Sequence, residues 1–285
     1  MSKEIKLSQG TIRYRDTGSG EPIVFLHGLL VDGQLWRKVT PELEGEFRCV
    51  VPDLPLGSHR IAVNADADLS PYGVAALVAE LIGELGLERP TLVGNDSGGT
   101  ICQILATRHP EVIGRLVLTP TDAFDNFPPK IFSYFKLLSK VPGGYAALAQ
   151  SVRIRPLRRT PIAFGWLSKT PTERAVMDSW LEPVRLSPEI RRDVQKFIDG
   201  VDPAITRRTA DELTEFTAPT LLAWAKEDKL FPVEHAHRLA ELIPDARVVE
   251  IEDSYTFVSE DQPERLAREI AKFVRESQPA ASSVS

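Results

Sequence analysis

Cysteine is almost missing: Cys49 and Cys102 are the only two in 285 residues. Two thiols cannot build a disulfide framework or a zinc site, and both fall in apolar runs, so reduced core packing is expected. Positive charge is not in excess either. The chain carries 34 Lys and Arg against 40 Asp and Glu, a formal net charge of −6. Affinity for a phosphate backbone needs concentrated Lys and Arg, so no nucleic-acid partner is expected. No apolar run approaches the roughly 18 residues that span a bilayer, and residues 1–6 form no apolar leader. The expectation is a cytoplasmic protein with no membrane partner. No dinucleotide fingerprint and no metal-ligand cluster occurs, so neither cofactor nor metal is expected. Histidine is scarce, limited to His27, His59, His109, His235 and His237. What remains, 42% hydrophobic and 26% charged residues, suffices to bury a sizeable core and excludes the disordered classes.

Alternating residues at 4–7 and 11–15 predict an antiparallel ribbon turned at Gln9-Gly10, because a side-chain period of two marks a half-buried strand. Continuously apolar runs follow at 23–26, 49–51, 91–93, 116–118, 220–224 and 248–251, the pattern of parallel strands covered on both faces. Helical patterns lie between them. Ser70-Pro71 sets an N-cap and first-turn proline before a stripe of Val74, Leu77, Val78, Leu81, Ile82 and Leu85. Further helices are expected over 98–108, 233–242 and 263–273. Strand and helix in alternation predict an α/β class with a doubly wound, mostly parallel sheet. Between about 125 and 217 the rhythm breaks into proline-punctuated helical pieces (130–140, 144–152, 171–181, 188–199), expected to form an inserted helical lid. The domain reading is therefore core 1–124, cap 125–217, core 218–276 and a disordered tail 277–285.

After the strand at 91–93 comes Gly94-Asn95-Asp96-Ser97-Gly98-Gly99, a glycine-bracketed strand-to-helix turn of the nucleophile-elbow type. The glycines let the backbone pass tightly and hold the central side chain at a helix N-terminus, whose free N–H groups favour negative charge. The central residue is Asp96. With the His27-Gly28 turn after the third strand, the lid, and an acid-bearing loop after the seventh strand, nearly the whole chain resembles the α/β-hydrolase superfamily. An aspartate at the elbow resembles its branch of haloalkane dehalogenases, fluoroacetate dehalogenases and epoxide hydrolases. That resemblance implies a carboxylate attacking carbon to form an ester, later hydrolysed by a histidine-activated water.

The resemblance also assigns partners. Leu29 and Ser97 should supply oxyanion backbone N–H groups, Asp228 falls where the triad acid belongs, and Asp122 is the alternative acid of some relatives. Where the family keeps its histidine, in Asp253-Ser254-Tyr255-Thr256-Phe257, this chain has Thr256, which cannot act as a general base near neutral pH. His59, on the loop after the fourth strand, is the candidate substitute base. Tyr134 and Tyr145 are the available lid tyrosines, with packing as their simpler role. The arginines at 153, 155, 158 and 159 read as a solvated lid face or an anionic substrate gate.

The expected function is hydrolysis of a small to medium apolar substrate through an alkyl-ester intermediate on Asp96. Two alternatives stand beside it: a lyase or isomerase using Asp96 for proton transfer, and a catalytically silent ligand-binding protein. Oligomeric state is not legible.

Overall fold

The computed structural model describes residues 2–277. The expected disordered tail therefore lies outside the described residues, apart from Ser277, whose carbonyl accepts from the Arg115 guanidinium. Eight strands make one sheet: β1 (Ser2–Leu7), β2 (Gly10–Thr17), β3 (Pro22–Leu26), β4 (Arg48–Pro52), β5 (Thr91–Gly94), β6 (Arg115–Leu118), β7 (Thr220–Ala225) and β8 (Ala246–Ile251), in the order β1-β2-β4-β3-β5-β6-β7-β8. β2 pairs antiparallel with β1 and β4, and all the other pairings are parallel. The apolar runs explain the centre of this sheet, where β5, β6 and β7 are buried along their whole length. β8 departs from the expectation of a strand covered on both faces: it forms the sheet edge and stays largely half-buried.

Helix α1 (Pro71–Glu84) starts where expected, with the Ser70 hydroxyl accepting from the Gly73 N–H at 3.1 Å and the Val74, Leu77, Val78 and Leu81 stripe buried. α2 (Ser97–Arg108) follows β5 directly and is buried from Ser97 through Ala106. Between β6 and β7 the chain is helical: α3 (Tyr134–Ser139), α4 (Gly144–Ser151), α5 (Arg155–Arg158), α6 (Arg174–Leu186), α7 (Pro188–Gly200) and α8 (Pro203–Glu212). The expected 130–140 helix splits into a 3-10 turn, Lys130–Phe132, and α3. The expected 171–181 helix begins later, at Arg174. Upstream of it, the Lys169 and Thr170 N–H groups donate to the Asp261 carboxylate at 2.9 and 2.7 Å, an acceptor from across the fold. After β7 come α9 (Val233–Leu242), the short α10 (Val258–Asp261) and the amphipathic α11 (Pro263–Glu276).

Buried polar contacts join the helices after β6 to the sheet side. The Trp180 indole N–H donates to Asp32 Oδ1 at 3.0 Å, and Gln34 Nε2 donates to Ser179 Oγ at 2.6 Å. Asp261 also accepts from the Tyr255 N–H at 3.0 Å, and the Phe257 N–H donates to the Leu167 carbonyl at 2.6 Å. The loop carrying Thr256 is thereby stitched to the stretch that leads into α6.

Candidate active site

The turn from β5 to α2 places Asp96 at φ 52°, ψ −132°, a conformation an L-residue rarely adopts. Such strain costs on the order of 1–3 kcal/mol and persists only where neighbours enforce it. Here the Asp96 N–H donates to the Pro120 carbonyl at 2.8 Å, and the Thr121 hydroxyl donates to the Asp96 carbonyl at 2.6 Å. The loop after β6 thus clamps the elbow from one side. Gly98 serves the other: a Cβ there would lie 2.4 Å from the Leu26 carbonyl oxygen, so only glycine lets α2 start against β3.

The Asp96 carboxylate is held by two backbone donors, the Leu29 N–H at 3.1 Å from Oδ2 and the Ser97 N–H. Gly28 makes this approach feasible, because a Cβ at that position would come within 2.1 Å of Asp96 Oδ2. Gly28→Ala should therefore push the carboxylate off its donors without unfolding the sheet. We expect covalent capture of an electrophile at Asp96 to slow about a hundredfold, read by intact mass with far-UV circular dichroism unchanged.

Three carboxyl groups gather around the elbow. Asp96 and Asp122 both line the cavity described below. Burial pushes Asp96 up to about 7 against the two N–H bonds that oppose it. Burial, reinforced by the Asp96 charge, holds Asp122 well above the carboxylate range, and its Oδ1 is buried without a partner while Oδ2 accepts from Thr100 at 3.2 Å. Burial likewise pushes Asp228 up to about 7, although its Oδ1 accepts from the Leu230 and Phe231 N–H groups, each at 2.7 Å, and from the Thr256 hydroxyl at 3.2 Å. Its Oδ2 is buried and unpartnered. Thr256 thus sits beside the Asp228 carboxyl group, and the Asn95 amide fixes its backbone by donating to the Thr256 carbonyl at 2.8 Å. Asn95 carried no positional signal in the sequence beyond its place in the elbow, because its partners Thr119, Pro120 and Thr256 come from two distant loops.

A cavity of about 320 Å³ opens above Asp96. Its floor comes from Leu29, Leu30, Asp96 and Ser97, and its walls from residues after β6, among them Phe127, Phe132, Phe164, Leu167 and Phe197. A largely apolar wall around the Asp96 and Asp122 carboxyl groups suits a small to medium apolar molecule.

His59 is neither in this cavity nor a solvated loop residue. It is 3% exposed, its Nε2 lies 3.2 Å from Asp193 Oδ2 on α7, and its Nδ1 accepts from the Gly57 N–H at 3.3 Å. The expectation of a substitute base at His59 thus meets a histidine already occupied as a tie between the β4 loop and α7. His27, also buried, accepts from the Leu54 N–H through Nε2 at 2.8 Å and contacts the Gly28 carbonyl through Nδ1 at 2.9 Å, so it supports the turn that presents Leu29. Burial lowers its proton affinity, which keeps it neutral in that role. Both tyrosine hydroxyls are committed to backbone carbonyls, Tyr134 to Ile162 at 2.7 Å and Tyr145 to Phe135 at 3.0 Å, and only Tyr134 borders the cavity. Among the described residues no group of His, Cys, Asp and Glu is arranged to hold a metal ion.

Comparison with known proteins agrees with this architecture. The alpha/beta hydrolase fold family model matches residues 21–263. The chain is 31% identical over 271 residues to haloalkane dehalogenase 2 of Mycobacterium tuberculosis, covering 92% of this chain and 91% of that protein. It is 28% identical to the 2-hydroxy-6-oxo-6-phenylhexa-2,4-dienoate hydrolase of Comamonas testosteroni, over 86% and 84% of the two chains. The solved structure of the epoxide hydrolase CorEH superposes with a TM-score of 0.79 at 21% identity, covering 97% of this chain and 99% of that one. A match across most of the chain, together with relatives named as hydrolases, settles the kinship: this chain belongs to the alpha/beta hydrolase fold family.

Proposed function

We propose that the protein acts on a small to medium apolar electrophile, with Asp96 attacking a saturated carbon to form an alkyl ester. The observation that carries this reading is the Asp96 carboxylate, held on the Leu29 and Ser97 N–H groups at the floor of an apolar cavity that no imidazole lines. A carboxylate oxygen forms the new C–O bond as the bond to a halide, or to the ring oxygen of an epoxide, breaks and takes its electron pair. In the epoxide case the alkoxide needs a proton, and Asp122, kept protonated by burial and by the Asp96 charge, is the acid bordering the same cavity. The named dehalogenase and the epoxide hydrolase among the relatives support both substrate classes. The helices between β6 and β7 serve as the cap that closes over the substrate.

Hydrolysis of the ester then lacks its usual base, so the alkyl-enzyme should accumulate. Incubation with 1-haloalkanes should add one alkyl group per chain, and with terminal epoxyalkanes one hydroxyalkyl group, mapped to the peptide containing Asp96, and Asp96→Asn should add none. Failure to form any adduct, with no turnover, would overturn the nucleophile assignment.

A second reading rests on the same three carboxyls: a group titrating near neutrality beside one held protonated can pass a proton to and from carbon in lyase or isomerase chemistry. Solvent-deuterium exchange into a bound carbon acid, with no mass adduct, selects it. Binding with neither adduct nor exchange selects a silent ligand-binding role.

A further inference from the structure

The surface of the helical insertion is unlike the rest of the molecule. Residues 126–172 contain no Asp or Glu but eight Lys and Arg, in a chain whose overall charge is −6. Arg153, Arg155 and Arg159 are exposed and make no ion pair among the described residues, whereas Arg158 turns inward to Asp178. All seven exposed large apolar side chains of the described residues fall between 137 and 186. Ile154 and Leu157 alternate with the arginines, at 57% and 40% exposure, and Ile162 and Trp166 follow at 55% and 37%. Leu157 and Ile162 also line the cavity over Asp96. Leu157 and Ile162 therefore belong both to the exposed apolar surface and to the cavity wall, with Arg155, Arg158 and Arg159 flanking Leu157 in the chain.

We propose that this face of the insertion seats the protein on an anionic lipid surface, from which an apolar substrate partitions directly into the cavity. Exposed Trp, Ile and Leu beside unpaired arginines are the chemistry of a segment lying at a headgroup boundary, the apolar groups entering the acyl edge and the guanidiniums meeting lipid phosphates. The expectation of no membrane partner rested on the missing spanning run, and lying on a surface needs none. No helix among the described residues is long and apolar enough to cross a membrane. A second copy of the chain fits this face poorly, since a twofold contact would set the same unpaired arginines against one another. An acidic protein would satisfy the charge but gives no reason for exposed apolar side chains to line the cavity as well.

The inference is independent of the chemistry at Asp96, so it is tested on the Asp96→Asn protein. Co-sedimentation with phosphatidylcholine vesicles containing phosphatidylglycerol should retain the protein at low salt and release it at high salt, and pure phosphatidylcholine should retain much less. Each arginine removed should lower partitioning about fivefold, so Arg153→Gln/Arg155→Gln/Arg159→Gln together should lower it about a hundredfold. Ile154→Ser/Trp166→Ser should lower it while salt sensitivity remains. Circular dichroism and melting of both variants should match the parent. Equal retention on neutral and anionic vesicles overturns the proposal. So does binding to polyglutamate without vesicle binding, which points to an acidic protein, or a concentration-dependent dimer abolished by the triple variant without vesicle binding.

Discussion

Thr256→His should let the alkyl ester proposed to form on Asp96 turn over. Asp228 already stands in place for such a base: Oδ1 is anchored by the Leu230 and Phe231 N–H groups and touches the residue-256 side chain, and the buried Oδ2 has no partner. An imidazole N–H at position 256 would satisfy that orphaned acceptor, and the resulting ion pair would favour the imidazolium as a water is deprotonated. The ester carbonyl oxygen would lie on the Leu29 and Ser97 donors, which stabilise the oxyanion formed by attacking water. General-base assistance is worth roughly 10²–10⁴-fold, so ester decay should accelerate by that order. The imidazole enters a fully buried position and overpacking costs about 1–3 kcal/mol, so the variant should melt lower. Thr256→Gln adds comparable bulk without a base. If Thr256→Gln releases alcohol as fast as Thr256→His, the increase reflects loosened packing and the base argument fails.

Asp96→Asn should stabilise the protein at alkaline pH and much less at acid pH. The native Asp96 carboxyl is raised by burial from an ordinary 3.8 to about 7, so the folded state holds its proton more tightly than the unfolded one. Its contribution to stability is complete below about pH 4 and is lost as pH rises through 7. At about 1.4 kcal/mol per unit, the loss at pH 8 reaches on the order of 4 kcal/mol, and neighbouring Asp122 and Asp228 share it because the three titrate together. Asparagine can keep the Leu29 hydrogen bond and carries no charge. Its melting temperature should exceed the parent's by several degrees at pH 8, with the gap narrowing toward pH 4. A gap that stays constant with pH would mean that Asp96 is not buried at a cost in its charged form.

The sheet was readable because its strands announce themselves: 91–93, 116–118 and 220–224 are apolar without interruption, and only a strand covered on both faces tolerates that. The elbow was equally plain, since Gly94, Gly98 and Gly99 bracket Asp96 at a spacing that a helix start alone does not require. What escaped the sequence are pairings across long separations. The partner that takes His59 out of play, Asp193, lies 134 positions away on α7. The acceptor that ties down Lys169 and Thr170 ahead of α6, Asp261, lies more than ninety positions downstream. The resemblance names Asp122 as an alternative acid, but the burial that lifts its carboxyl group beside Asp96 arises only once the sheet is assembled. Local pattern encodes elements, and the site's electrostatics arise from contacts that no local pattern contains.

The stitching around Asp261 also limits how molecules come and go. One carboxylate grips the main chain at Lys169, Thr170 and Tyr255, and the Phe257 N–H clasps the carbonyl of Leu167, itself part of the cavity wall. Lifting the roof on that side would break three hydrogen bonds at once, those from the Lys169, Thr170 and Phe257 N–H groups that join residues 167–170 to residues 257–261. The wall near Leu167 is thus the fixed jamb of the chamber, and traffic is left to the part of the wall where Leu157 and Ile162 meet the exterior.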